Sequence, residues 1–113
     1  MNPLVRIKRL LISGRYAFSH KAETEMFADD IRAQDVVEAV INAPAITKVL
    51  RSRSPRRVGA REKLYVIVGA TYDGVLIYTK GTIRKVAGED TFYFFVSSKQ
   101  WLARSEASDE DAD

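Results

Sequence analysis

Basic residues are concentrated in one segment of the chain, between positions 48 and 63. Seven lysines and arginines lie there, and the only acid among them is Glu62. Guanidinium groups bind phosphate oxygens bidentately, so arginine at this density indicates a surface that meets phosphate. We therefore predict that nucleic acid is bound by Lys48, Arg51, Arg53, Arg56, Arg57, Arg61 and Lys63. The alternative is that these side chains only keep a small protein soluble.

His20 is the only histidine of the chain, and imidazole is the side chain that titrates nearest neutrality. It follows Ser19, a residue type that commonly caps helices, so we expect it in the first turn of a helix. The positive end of the helix dipole favours a neutral ring, which suits a general base. Metal-free cleavage of RNA needs such a base, a cation at the phosphate and an acid for the leaving oxygen. The alternative is that His20 packs against the helix start or caps it.

The composition of the 113 residues excludes several kinds of site. The chain has no cysteine and one histidine, which removes disulfides, thiolate catalysis, cysteine-ligated zinc and an imidazole-rich metal site. We accordingly expect no cofactor and no metal. No apolar run approaches the roughly 18 residues that span a bilayer, and no signal peptide is recognisable. These patterns predict a cytoplasmic protein that does not bind a membrane.

The charge is divided unevenly between a basic domain and an acidic C-terminus. Five acids follow Ser105, and setting them aside from the net charge of +3 leaves +8 on residues 1–105. We predict one α+β domain over residues 1–104 and a disordered acidic tail over residues 105–113. The tail is either a solvated end or a phosphate mimic that folds over the basic residues and competes with RNA.

The elements that must position these side chains are helical in the first half of the chain. Asn2-Pro3 predicts a helix start and Gly14 a helix end, with apolar residues at helical spacing between them. Ser19 predicts a second helix over about His20–Ala28. A third helix over about 33–41 carries four apolar residues on one face. Tyr16-Ala17-Phe18 between the first two helices is interpreted as a short strand or an extended lead-in.

The second half of the chain has the patterns of β-strands. Alternating or continuously apolar runs predict strands over about 46–51, 64–70, 75–80 with a continuation over 83–86, and 91–98. Gly81 predicts a bulge or bend. The expected architecture is α+β, with helices packed on one face of a mainly antiparallel sheet of about four strands. The apolar run Thr91–Ser98 would promote aggregation at an edge, so we expect it to be central or covered by a partner chain, as in a homodimer.

Several short motifs resemble the signature of a bacterial domain family of unknown function. They are Ser19-His20-Lys21-Ala22, Glu25-Met26 and Asp35-Val36-Val37-Glu38-Ala39-Val40, followed by a strand pair joined at Tyr72-Asp73-Gly74. The family is distantly similar to the RelE-like, BrnT and MqsR toxins of bacterial toxin–antitoxin pairs, and the resemblance covers roughly residues 15–99. It implies a RelE- or MqsR-like fold, metal-independent cleavage of mRNA and neutralisation by an antitoxin, which would be acidic for this basic chain.

The resemblance also directs attention to the sheet, because such toxins often carry a tyrosine there and a basic residue near the end of the last strand. Period-two alternation places Tyr78 and Lys80 on one face of their strand. On the last strand it groups Lys99 with Tyr93, Phe95 and Ser97. We take His20, Tyr78, Lys80 and Lys99 as catalytic candidates. The alternative is that the strand residues are ordinary edge residues with polar tips in water.

Two functions are open from these patterns. The first is a toxin-like RNA-binding domain that acts as a metal-independent mRNA endonuclease, and the second is a non-enzymatic module that binds RNA or a protein. Both use the basic surface. Convergence of the four catalytic candidates would favour the enzyme, whereas dispersal would favour the binding module.

Overall fold

The elements follow one another as helix, strand, two helices and four strands in the computed structural model, which describes residues 2–51 and 62–102. Their bounds are α1 Pro3–Ile12, β1 Tyr16–Phe18, α2 His20–Ala28, α3 Ala33–Asn42, β2 Lys48–Arg51, β3 Lys63–Ala70, β4 Leu76–Val86 and β5 Glu89–Gln100. The predicted α+β class is confirmed. In the described part of the chain, no helix is long and apolar enough to cross a membrane.

The strands form one mixed sheet in the order β1-β5-β4-β3-β2, so the expected number of about four strands was wrong. The additional strand is β1, which pairs in parallel with β5 through Tyr16 and Tyr93, while the other pairings are antiparallel. The short segment thus finds its partner 77 positions later in the chain. As a consequence β5 lies between β1 and β4, and its apolar run is not at an edge.

The helix starts show how local sequence sets these elements. The side chain of Asn2 accepts a hydrogen bond from the Leu4 backbone N–H at 2.7 Å, and Ser19 Oγ accepts one from the Ala22 N–H at 3.0 Å. These caps satisfy backbone donors that have no partner within the helix. The predicted starts of α1 and α2 are confirmed.

The three helices pack on one face of the sheet and form the core with it. The buried helical residues include Ile7, Val36 and Val40, and they meet Tyr65, Ile67, Ile77, Tyr93 and Phe95 of the sheet. Contact is close between α3 and β3, where a Cβ on Gly69 would clash with the carbonyl oxygen of Ala39. Glycine at position 69 therefore sets how closely α3 approaches the sheet.

Tyr93 fills the centre of this core. Its side chain is fully buried and lies over Gly81 of β4, where an added Cβ would come within 2.6 Å of the ring. The Tyr93 hydroxyl finds no hydrogen-bond partner among the described residues. Burial in this apolar environment raises the pKa of Tyr93 far above its usual value, because the phenolate would be desolvated.

A bulge in β5 changes which side chains share a face. Gly81 pairs with Phe95 but Lys80 pairs with Ser97, so Val96 is an extra residue on β5. The bend predicted at Gly81 is confirmed. The predicted grouping of Lys99 with Tyr93 and Phe95 was wrong, because the extra residue reverses the alternation and moves Lys99 to the face opposite the helices.

Helix α2 continues the sheet edge where β1 ends. Glu25 accepts hydrogen bonds from the Ser98 backbone N–H at 3.0 Å and from Ser97 Oγ at 2.7 Å. One helical turn later, Asp29 accepts from the Gln100 N–H at 2.8 Å. The axial rise over four helical residues is about 6 Å, and the rise over two strand residues is about 6.8 Å. The spacing of the two carboxylates along α2 therefore matches the spacing of alternate backbone amides along β5. They take the place of a neighbouring strand.

Candidate functional site

The face of the sheet opposite the helices carries two rows of polar and basic side chains. In the first row, Tyr78 of β4 lies directly opposite Lys99 of β5. In the second row, Lys80 lies opposite Val66, which in turn lies opposite Lys48 of β2. Residues that face each other across adjacent strands project to the same side, so three lysines and a tyrosine share this face.

Trp101 joins this group at the end of β5. Its backbone N–H donates to the Leu76 carbonyl oxygen at 2.9 Å, which holds the chain beside β4 after the strand ends. Its ring is nearly parallel to that of Tyr78, with centroids 6.0 Å apart and planes inclined by 14°. The Lys99 Nζ lies 5.3 Å from the centroid of the Tyr78 ring, within the range of a cation–π contact. We call Lys48, Tyr78, Lys80, Lys99 and Trp101 together the lysine face.

Part of the lysine face is withdrawn from solvent. Tyr78 is 4% exposed and Lys80 is 6% exposed, while Val66 between Lys80 and Lys48 is 1% exposed. The helices do not account for this burial, because they pack on the other side of the sheet. An ammonium group in such a place interacts with an anion more strongly than one in bulk water, where the dielectric constant is high.

The bulge at Val96 is what brings the catalytic candidates of two strands together. Without the extra residue, Lys99 would project toward the helices with Phe95. With it, the Tyr78 phenol and the Lys80 and Lys99 side chains belong to neighbouring rows of one face. Two cations and a hydroxyl donor in this arrangement can hold the oxygens of a phosphodiester and stabilise charge that develops on them.

His20 occupies a different place. It is the first residue of α2 and is exposed to solvent. The preceding Ser19 anchors the helix to the outer side of β5, donating from its N–H to the Phe95 carbonyl and from Oγ to the Val96 carbonyl, both at 2.9 Å. The structure therefore brings Tyr78, Lys80 and Lys99 together and places His20 on the side of β5 away from β4.

The predicted phosphate-binding segment is described only at its two ends. Lys48 belongs to the lysine face. Arg51 pairs with Lys63 at the far end of β2 and β3. Since Lys63 lies two positions before Tyr65 on the same strand, Arg51 and Lys63 are on the face of the sheet that carries Tyr65, opposite the lysine face. Both of those residues are exposed. The remaining predicted residues lie outside the described ranges, and these are Arg53, Arg56, Arg57 and Arg61. The acidic tail over residues 105–113 also lies outside them.

Two features of the site were not anticipated from sequence. Lys48 was assigned to the arginine-rich segment, but it lies in one row with Lys80 because β2 and β3 pair through Val66. Trp101 was not among the candidates. Its position two residues after Lys99 is the available signal, since alternation puts both residues on one face.

A second concave region lies where α2 and α3 meet the end of the sheet. Its lining is acidic and includes Asp29, Asp30, Asp35 and Asp73. Two of these carboxylates are engaged by the backbone, Asp29 by Gln100 and Asp35 by the Arg32 N–H at 3.0 Å. Within residues 2–51 and 62–102, no group of three or more acids and histidines could hold a metal ion.

No protein-family model matches the chain, and a search of curated proteins finds no significant match. The resemblance to the toxin families consequently stays a prediction.

Proposed function

We propose that this chain is an RNA-binding domain that holds the backbone of single-stranded RNA on the lysine face. The observation that supports this most directly is the convergence of Tyr78, Lys80 and Lys99 from two neighbouring strands. Ammonium groups bind phosphate oxygens, and aromatic side chains stack on unpaired bases. Trp101, which is half-buried, supplies the ring, and Lys48 extends the cationic surface toward β2. We also propose that the fold is RelE- or MqsR-like and that the protein is cytoplasmic, as expected from the sequence.

The number of lysines sets the expected salt dependence. Each phosphate contact on a single strand contributes about −0.7 to the slope of log K against log salt. Three contacts, from Lys48, Lys80 and Lys99, would give a slope of about −2, so affinity would fall roughly 20-fold between 50 and 200 mM salt.

The test compares two double variants with the same change in net charge. Lys80→Gln with Lys99→Gln removes two cations from the lysine face, whereas Lys21→Gln with Lys85→Gln removes two from α2 and from the end of β4. Binding of a fluorescent single-stranded RNA is followed by anisotropy in EDTA, with circular dichroism as a check on folding. We expect the first variant to lose at least tenfold in affinity and the second to bind nearly as well as the unmodified chain. Equal losses would mean that the whole basic domain attracts RNA without a defined site.

Cleavage of the bound RNA is the second candidate function, and the row that joins Tyr78 to Lys99 favours it. In this step the 2′-hydroxyl oxygen would attack the phosphorus and release its proton to solvent, the phenol would protonate the leaving 5′ oxygen, and the ammonium group would stabilise the phosphorane without metal. His20 lies on the other side of β5 from Tyr78, so it is not the general base in this proposal. Incubation of RNA with excess EDTA should therefore give products with the unmodified chain and with His20→Ala, but not with Tyr78→Phe or Lys99→Ala. Binding without products in every sample would leave a non-enzymatic module.

An acidic protein segment carries charges similar to those of RNA, so an antitoxin-like partner is the competing outcome. A polyglutamate peptide with the same number of charges as the RNA serves as the probe. Tighter binding of the peptide than of the RNA would indicate that the ligand of the lysine face is a protein and not RNA.

A further inference from the structure

The sheet face opposite the helices continues past the lysine face, toward the turn between β4 and β5. There Thr82 lies opposite Phe94, and Arg84 lies opposite Phe92. Alternate residues of β4 project to one side, so both rows share the face that carries Lys80. Thr82 is buried, so Arg84, Phe92 and Phe94 form the surface at this end. We call these three residues the arginine–phenylalanine cluster.

The members of this cluster are in contact with one another. Arg84 Cζ lies 4.8 Å from the centroid of the Phe94 ring. The rings of Phe92 and Phe94 meet edge to face, with centroids 6.4 Å apart and planes inclined by 88°. Glu62 Oε2 forms an ion pair with Arg84 Nε at 2.9 Å and so restrains the guanidinium group. All three members are half-buried, which leaves part of each side chain accessible to a ligand.

Planar groups of these two kinds recognise unpaired nucleobases. In complexes with single-stranded RNA, bases stack on aromatic rings and on guanidinium planes. Stacking of two or three bases on aromatic side chains of an open sheet face is a known mode of RNA recognition. The cluster presents both kinds of group side by side, on the face that also carries the lysines.

The distance between the cluster and the lysine face suits neighbouring nucleotides. Successive rows on one face of a strand are about 7 Å apart. The row of Phe94 therefore lies about 7 Å from Lys80, and the row of Phe92 lies about 14 Å from it. These intervals are close to the lengths of one and two nucleotides in an extended strand. A strand with a phosphate at Lys80 thus carries its next bases over the cluster.

We propose that the arginine–phenylalanine cluster is a base-stacking subsite for the nucleotides next to the phosphates on the lysine face. The subsite rests on the proposed RNA-binding function and adds to it a requirement for unpaired bases. A strand without bases offers only phosphates, and a duplex keeps its bases stacked on each other. Both should therefore bind more weakly than single-stranded RNA of the same length.

The test removes one ring and keeps an apolar side chain in its place. Phe92→Leu is the variant, because Arg84 already covers one side of the Phe94 ring. Phe27→Leu is the matched control, since Phe27 is 91% exposed on α2. Arg84→Lys is a second variant that keeps both rings and the charge but loses the guanidinium plane. The probes are a labelled single-stranded RNA and an abasic ribose-phosphate strand of the same length, measured by anisotropy at 50 mM salt in EDTA.

One stacked base contributes enough to binding for a clear result. We expect Phe92→Leu to lower the affinity for RNA about tenfold and to leave the affinity for the abasic strand unchanged. Arg84→Lys should show the same selective loss, whereas Phe27→Leu should bind both probes as the unmodified chain does.

Three results would overturn the subsite. Unchanged RNA affinity in Phe92→Leu and Arg84→Lys would remove it and leave the proposed function intact. Equal losses for RNA and for the abasic strand in both variants would show that these side chains support the phosphate contacts and not base stacking. Absence of binding of either probe by the unmodified chain would refute the proposed function together with the subsite.

Discussion

Replacement of Tyr93 by phenylalanine should stabilise the protein. The Tyr93 side chain is fully buried over Gly81, and its hydroxyl has no hydrogen-bond partner in the described part of the chain. A buried hydroxyl without a partner costs about 1–3 kcal/mol, and phenylalanine keeps the ring that fills the core. Allowing for a small void, we expect Tyr93→Phe to raise the free energy of unfolding by about 1 kcal/mol. The melting temperature should rise by roughly 4 °C for a domain of this size.

The stabilisation should grow at alkaline pH. Burial raises the pKa of Tyr93 in the folded state, whereas in the unfolded chain the phenol titrates near its usual value of about 10. Above that pH the unfolded state releases a proton that the folded state retains, so the stability of the unmodified chain falls by up to about 1.4 kcal/mol per pH unit. Tyr93→Phe lacks this loss. The difference between the two chains should therefore reach about 2.4 kcal/mol at pH 11.

Urea denaturation followed by circular dichroism at pH 7 and pH 11 measures both effects. Tyr16→Phe is the matched control, because Tyr16 is only half-buried, and its replacement should change neither value appreciably. The reasoning would be refuted if Tyr93→Phe were less stable than the unmodified chain at pH 7. A difference that stayed constant up to pH 11 would refute the burial of the phenol.

Three further predictions concern the packing and the sheet edge. Gly69→Ala should lower the free energy of unfolding, measured by urea denaturation, by at least about 2 kcal/mol, because the α3 backbone occupies the space of the new Cβ. An unchanged midpoint of urea denaturation would show that α3 moves freely. Asp90→Asn removes an ion pair with Arg6 at 2.8 Å, whose hydrogen bond lowers the pKa of Asp90. Up to about 1 kcal/mol should therefore be lost at pH 7, and the loss should shrink as the pH falls through the lowered pKa of the carboxyl; a loss that stayed constant down to acid pH would contradict this. Glu25→Leu should accelerate hydrogen exchange at the Ser98 amide, which loses its acceptor, and unaltered protection there would exclude the proposed edge role of α2.

Local signals predicted the helices well because each helix start is specified by neighbouring residues. Ser19 caps α2 through the Ala22 amide, and the predicted bounds of α2 agree with the structure. The parallel pairing of β1 could not be predicted in this way. It joins Tyr16 to Tyr93, and no local pattern in a three-residue segment specifies a partner so far along the chain.

The lysine face was predictable only in part. Alternation along one strand places Tyr78 and Lys80 together, and this prediction needs no tertiary information. The alignment of Lys99 with Tyr78 depends on the extra residue Val96, and Gly81 signals that a bulge exists without saying which strand carries it. The row that joins Lys48 to Lys80 requires the register of three strands.

The central claim is that RNA phosphates are bound by the lysine face, and the salt dependence of binding tests it most directly. The affinity for a labelled single-stranded RNA is measured in EDTA from 50 to 200 mM salt for the Lys80→Gln, Lys99→Gln variant and for the Lys21→Gln, Lys85→Gln control. Loss of two phosphate contacts should reduce the slope of log K against log salt by about 1.4, while the control keeps the slope of the unmodified chain. Equal slopes in all three proteins would contradict the claim.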